Sequence, residues 1–213
     1  MINLSEIINF INFQDLIQRT SEQINMFSIA ILLSIVFGLI IGIVLHRVQK
    51  LSNIVFNILN IIETLPTIAL LVLLLPFLGL GMKPTIFVSV LYAILPIARN
   101  CYVGLNNVEQ NYIEVARSIG LNEFEILTKI EIPLALPTIV SGIRISIVFT
   151  MGVVTLGGLI AAGGLGASIQ TGVQLYDKTL IYVSAVWVGI LALFFDALAY
   201  LVERFLQKRF NNV

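Results

Sequence analysis

Charge is what this chain has least of. Only 11% of its 213 residues are Asp, Glu, Lys or Arg, against 58% hydrophobic, and mean hydropathy is +1.01. A soluble domain is about a quarter charged. So much apolar surface cannot be hidden from water by 213 residues, and the chain calls for lipid. Positive and negative residues balance at 12 each, which leaves no global basic footprint for nucleic acid. One cysteine, Cys101, excludes an intrachain disulfide and a cysteine-based metal cluster. One histidine, His46, excludes an HExxH metal pair, and no credible Ser-His-Asp set is visible. His46, beside Arg47, reads as a flank residue at the membrane interface. No Gly-rich Walker sequence is present, so the chain is not expected to bind nucleotide in that way. Residues 1–6 lack the basic region of a cleavable signal peptide, so the first apolar run is expected to remain as a span.

What is there is a series of runs long enough to cross a bilayer. A span needs about 20 apolar residues, and five are expected: 26–45, 53–78, 84–103, 136–161 and 180–201. The second is too long for a straight crossing, and Pro66 should kink it. With no repeat or linker, residues 26–202 read as one all-α, polytopic membrane domain. Residues 203–213 read as a tail. In residues 1–25, Leu4, Ile7, Ile8 and Ile11 share a helical face, which suits an amphipathic helix on the outer surface or a frayed end.

Basic residues orient the spans. With the amino terminus outside, the inner side carries Arg47, Lys50, Arg99, Arg117, Lys129, Arg204, Lys208 and Arg209; the outer side carries only Arg19, Lys83 and Lys178. That bias places 104–133 and the carboxyl terminus in the cytoplasm. Arg144 is left within a span, as are Glu63 and Asp196, all in the inner half. A charge in lipid needs a partner or water. Arg144 paired with Asp196 or Glu63 is one reading; an inner gate or polar lining is the other. Gly38 and Gly42 have the spacing that lets helices approach closely.

The polar segment 104–133 is the most informative. Asn111 to Glu114 has the form of a capping box, Gly120 suits a helix stop, and Asn122 to Glu125 repeats the capping pattern. Pro133 should mark the start of the next span. Two short helices broken at Gly120 are expected, with Ala116 and Gly120 small enough for another protein to approach. An ordinary loop remains open. A DNA-binding helix-turn-helix is disfavoured, because only Arg117 and Lys129 are basic against Glu114, Glu123, Glu125 and Glu131.

Glu114, Val115, Ala116, then Gly120, then Ile130, Ile132 and Pro133 resemble the cytoplasmic signature of permease subunits of binding-protein-dependent ABC importers. Val115 and Ile132 are apolar departures from it. Glu63-Thr64-Leu65-Pro66, Pro133-Leu134-Ala135-Leu136-Pro137, Gly142-Ile143-Arg144 and Ala162-Gly163-Gly164-Leu165-Gly166 look like the osmoprotectant subfamily, with Glu63 where Gln is more usual. The resemblance spans about residues 26–202. It implies a type I ABC importer (MetI-like) permease fold in a bacterial cytoplasmic membrane. It implies a cytoplasmic ABC ATPase dimer as partner, which binds the ATP and Mg, and no cofactor in this chain. A second permease chain, the same or homologous, and an extracellular or periplasmic substrate-binding protein are implied too. Glu114, Ala116, Arg117 and Gly120 would meet the ATPase. Glu63, Pro66, Arg144 and Asp196 are the gate candidates, and Gly163, Gly164 and Gly166 would lie at the outer gate. The implied cargo is glycine betaine, choline, carnitine or a related solute, with an amino acid such as methionine as runner-up. A self-contained secondary carrier, which often shows inverted repeats, and a stand-alone channel are weaker rivals. Tyr92 and Trp187 could face a quaternary ammonium, though spans carry aromatics for packing and anchoring as well.

Overall fold

A computed structural model describes residues 13–210, and among them there are helices and no strands. Four helical stretches are long and apolar enough to cross a membrane, and a fifth crossing is available from a bent pair. The helices are α1 (Phe13–Arg47), α2 (Ser52–Thr64), α3 (Thr67–Leu78), α4 (Met82–Asn106), α5 (Gln110–Ser118), α6 (Glu123–Ile126), α7 (Ile132–Leu156), α8 (Gly164–Leu175) and α9 (Lys178–Phe210).

The core is built around α4, the most buried of the spans. Small residues on its neighbours let their backbones close on it. A Cβ on Gly38 of α1 would lie 2.7 Å from Ile97 Cβ, and one on Gly42 would lie 2.5 Å from Cys101 Cβ. On the other side, a Cβ on Gly142 of α7 would lie 2.7 Å from the Pro96 carbonyl oxygen. The Gly38 and Gly42 pair is therefore used within the chain. Ser146 Oγ donates to the Ala93 carbonyl at 2.8 Å and ties α7 to α4 across the buried seam.

The second span is broken. α2 and α3 meet at 95°, far more than a kink. Pro66 lacks an N–H and pushes the residue before it out of the helical region; Leu65 is extended at φ −66°, ψ 137°. The Tyr92 hydroxyl donates to the freed Leu65 carbonyl and holds the break against α4.

Several boundaries differ from the sequence expectation. α1 begins by Phe13, so 13–25 continue the first span; Leu4, Ile7, Ile8 and Ile11 lie outside the described residues. α9 runs unbroken past 202, which joins most of the expected tail to the last span. Pro133 stands in the first turn of α7, as expected, but no loop precedes it. α6 and α7 are joined by a π-helical turn, Leu127–Glu131, into one helix from Glu123 to Ile160. The Ile132 amide donates to the Leu127 carbonyl, five residues back. This widened turn sits where the Pro133 ring would otherwise crowd the carbonyl four residues before it. α8 was not expected at all.

Arg144 clamps α7 to α9. Its Nε and Nη2 donate to the two Asp196 carboxylate oxygens at 3.0 and 3.1 Å, and Nη1 donates to Glu203 Oε2 at 2.7 Å. Its guanidinium carbon lies 4.9 Å from the Tyr200 ring centre. Asp196, Tyr200 and Glu203 share one face of α9 by their spacing. A bidentate fork with a second acid is the geometry that offsets desolvation best.

Arg144→Gln leaves two acids facing each other, and should cost about 3–5 kcal/mol, read as a lower melting temperature in detergent. Exchanging the charges (Arg144→Asp with Asp196→Arg) should restore part of it.

Candidate functional site

The segment between α4 and α7 is a compact polar unit. α5 ends in a Schellman turn: the Gly120 amide donates to Arg117 O at 3.0 Å and the Leu121 amide to Ala116 O at 3.1 Å. Gly120 has φ +89°, a conformation glycine adopts freely. The expected box at Asn122 is present: Glu125 N donates to Asn122 Oδ1 at 2.9 Å, and Asn122 N donates to Glu125 Oε2 at 3.1 Å. The box expected at Asn111 is not. α5 starts two residues earlier, with Glu109 at its cap and no side-chain bond there.

Arg117 and Arg47 converge on Glu123. Arg117 donates from Nε and Nη2 to Glu123 Oε1 at 3.1 and 2.9 Å, and Arg47 Nη1 donates to Glu123 Oε2 at 3.2 Å. Arg47 Nη2 also donates to the Glu123 carbonyl at 2.9 Å. The Glu123 carboxyl is held below its ordinary value, first by the hydrogen bond from Arg117. Glu125 is held below its own, first by Lys129. His46 completes the junction: Nε2 lies 3.3 Å from Glu131 Oε1 and Nδ1 lies 3.1 Å from Asn106 Oδ1. The histidine read as an interfacial flank thus joins α1, α4 and the π turn. Glu131 is buried, and Arg47 approaches its other oxygen at 3.7 Å, an ion pair longer than a hydrogen bond.

The sequence-derived site residues divide here. Ala116 is only 3% exposed; its methyl is covered by this chain and offers no surface for close approach. Glu114 is exposed, Arg117 is engaged with Glu123, and the space beyond Gly120 is open. The surface that sequence reasoning missed is apolar. Val115, Ile119 and Phe124 are 62%, 73% and 73% exposed, and Tyr112 is partly so. Tyr112, Val115 and Ile119 are spaced three and four apart, a signal of one helical face that was legible.

Within the spans, Asp196 and Arg144 are paired and Glu63 is separate from them. Glu63 lines an open cavity of about 640 Å³ at the break in the second span, with Pro66, Thr67, Tyr92, Phe149 and Gly152. Its carboxylate has no hydrogen bond or ion pair with another described residue.

At the far end of the bundle, Gly163 and Gly164 have positive φ and open α8. The Gly164 amide donates to Glu22 Oε2 at 2.8 Å, so a carboxylate from α1 satisfies the start of α8. Gly166 lies directly on the Thr155 carbonyl, leaving no room for a Cβ. Gln23, wholly buried, donates to Thr155 Oγ1 at 3.0 Å. The glycines do mark a stop and turn, as expected, and then start a further helix.

This architecture has known counterparts. A solved structure of the inward-facing MetNI methionine ABC transporter superposes with a TM-score of 0.80 at 28% identity, covering 90% of this chain and 96% of that one. The choline transport system permease protein OpuBB of Bacillus subtilis (strain 168) is 38% identical over 203 residues, 94% of each chain. The carnitine transport permease protein OpuCB of Listeria monocytogenes is 37% identical over 182 residues, 85% of this chain and 84% of that one. The family model described as "binding-protein-dependent transport system inner membrane component" matches residues 34–212. A multi-pass helical bundle with that extent of likeness leaves one assignment: the chain belongs to the family of binding-protein-dependent transport system inner membrane components, with the MetI-like permease fold.

Proposed function

We propose that this chain is the permease subunit of an ATP-driven importer for osmoprotectants such as glycine betaine, choline or carnitine. It forms the translocation path and couples to a separate ATPase. The observation that carries the coupling is the exposed apolar face of Val115, Ile119 and Phe124 on an otherwise polar segment. Surface of that kind, held rigid by a capping box and two arginines on Glu123, suits a protein groove better than water. The cargo follows from the relatives, whose names specify choline, carnitine and glycine betaine; the methionine reading is not favoured.

The partners are a cytoplasmic ATPase dimer that binds ATP and magnesium, a second permease chain and a substrate-binding protein. The amino terminus lies outside and the carboxyl terminus in the cytoplasm, as the eight-to-three excess of basic residues favours. Glu114 contributes a polar contact at the rim of the ATPase interface. The Gly163 to Gly166 turn stands at the outer gate.

Ile119→Asp or Phe124→Asp should reduce co-purification of the ATPase and ATP-dependent uptake by about tenfold, with membrane insertion unchanged; each buries a charge in an apolar contact. Full retention of both would end the coupling proposal. At Gly120 the backbone rather than space is limiting. Gly120→Asn should be tolerated, and Gly120→Val should cost about 1–3 kcal/mol, read as weaker ATPase retention. Orientation is tested by Glu109→Cys. A membrane-impermeant thiol reagent should label it only in opened cells, while native Cys101 is buried and silent.

A further inference from the structure

Of the charged side chains at the heart of the spans, Arg144, Asp196 and Glu203 satisfy one another, and Arg99 donates to Asn60 Oδ1. Glu63 has no such partner. Glu63 is the second-last residue of α2, its carboxylate stands on the wall of the cavity at the helix break, and no described cation reaches it. Arg144 is committed to Asp196 and Glu203 on the α9 side, and Arg99 of α4 is committed to Asn60 Oδ1 at 2.7 Å, one turn before Glu63 on α2. An isolated acid at membrane depth is costly unless something charged or wet meets it. The surroundings specify what would. The end of α2 adds the partial negative charge of a helix carboxyl end beside the carboxylate. The Tyr92 ring is fixed by its hydroxyl on the Leu65 carbonyl, and Phe149, 41% exposed, shares the wall. The remaining lining is apolar apart from Thr67 and Thr155. A carboxylate and one exposed aromatic ring, Phe149, with the buried Tyr92 (5% exposed) behind and few donors of hydrogen bonds, suit a bulky, weakly hydrated cation and disfavour an anion.

We propose that Glu63 is a cation-binding group in the translocation path, holding the substituted-ammonium head of the transported solute against the exposed Phe149 ring at the break in the second span. The proposal rests on the permease reading above and adds a cargo subsite within this chain. The cavity volume, about 640 Å³, accommodates a small solute together with water. A quaternary ammonium cannot donate a hydrogen bond, so the site needs charge and an aromatic face rather than a directed acceptor. That is the combination present.

Gly152 gives a way to test this independently of transport. It lines the same cavity, and a Cβ there meets nothing within 4 Å. In the assembled complex, Gly152→Cys should react faster with a trimethylammonium-ethyl methanethiosulfonate than with the sulfonate-bearing analogue. The expected preference is about fivefold or more, with millimolar choline slowing the reaction. Adding Glu63→Gln should bring the preference, corrected for the intrinsic reactivity of the two reagents, close to unity. An unchanged preference overturns the proposal. So does protection of the Gly152→Cys thiol from both reagents, which would mean that the neighbouring permease copy covers the cavity. In proteoliposomes with ATPase and binding protein, Glu63→Gln should lower choline uptake about tenfold. Glu63→Asp should retain most of it, and ATP hydrolysis stimulated by the loaded binding protein should persist in both. Uptake by Glu63→Gln equal to the parent overturns the proposal while leaving the importer reading intact. A parent complex that carries no quaternary amine, yet labels with the cationic preference, overturns the osmoprotectant cargo while supporting a cation site at Glu63.

Discussion

In lipid, touching a neighbouring helix gains little hydrophobic energy over touching an acyl chain, so a helical bundle depends on how closely its backbones can approach. Here α4 is the post that others close upon. Gly38 and Gly42 bring α1 onto Ile97 and Cys101, and Gly142 brings α7 onto Pro96 and Asn100. Close approach increases dispersion contact and allows short polar bridges such as Ser146 to Ala93. The glycines beyond the spans continue this logic: Gly158 and Gly166 let α8 rest backbone on backbone against the end of the fourth span.

Charge follows the opposite rule. Each ionic group in the interior is either matched or stands where a solute can reach it. Arg144 spends its fork on Asp196 and its remaining nitrogen on Glu203, which fixes how α7 and α9 face each other. Glu63 has no such partner. The contrast is between a saturated clamp and a solitary acid, and it is the solitary one that the proposed cargo subsite uses.

The spans, the Gly120 stop and the Asn122 box were legible because each is a local pattern; for Arg144 the sequence offered two acids at similar depth, Asp196 and Glu63, and only the structure chose between them. Glu203 was assigned to the tail because hydropathy falls before α9 ends, although helical spacing from Asp196 would have placed both on one face. The 95° break was read as a kink, since Pro66 announces a disruption without fixing its angle; the contact that meets the break comes from Tyr92, 27 residues away. Ala116 was taken for a contact surface from its size, when burial decides which way a small residue faces. The α8 helix escaped notice because it has too few apolar residues for a span. The π turn at Leu127–Glu131 has no sequence signature beyond the Pro133 it accommodates.

That π turn has a mechanical meaning. A loop before Pro133 would let the polar unit swing independently of the fourth span. Instead the chain is one helix from Glu123 to Ile160, about 57 Å long at 1.5 Å per residue. It behaves as a lever arm, gripped near one tip by Arg47 and Arg117 and abutting α8 at the other. Tilting such an arm by about ten degrees displaces its far tip by about 10 Å, less whatever bending the π turn and Pro137 absorb.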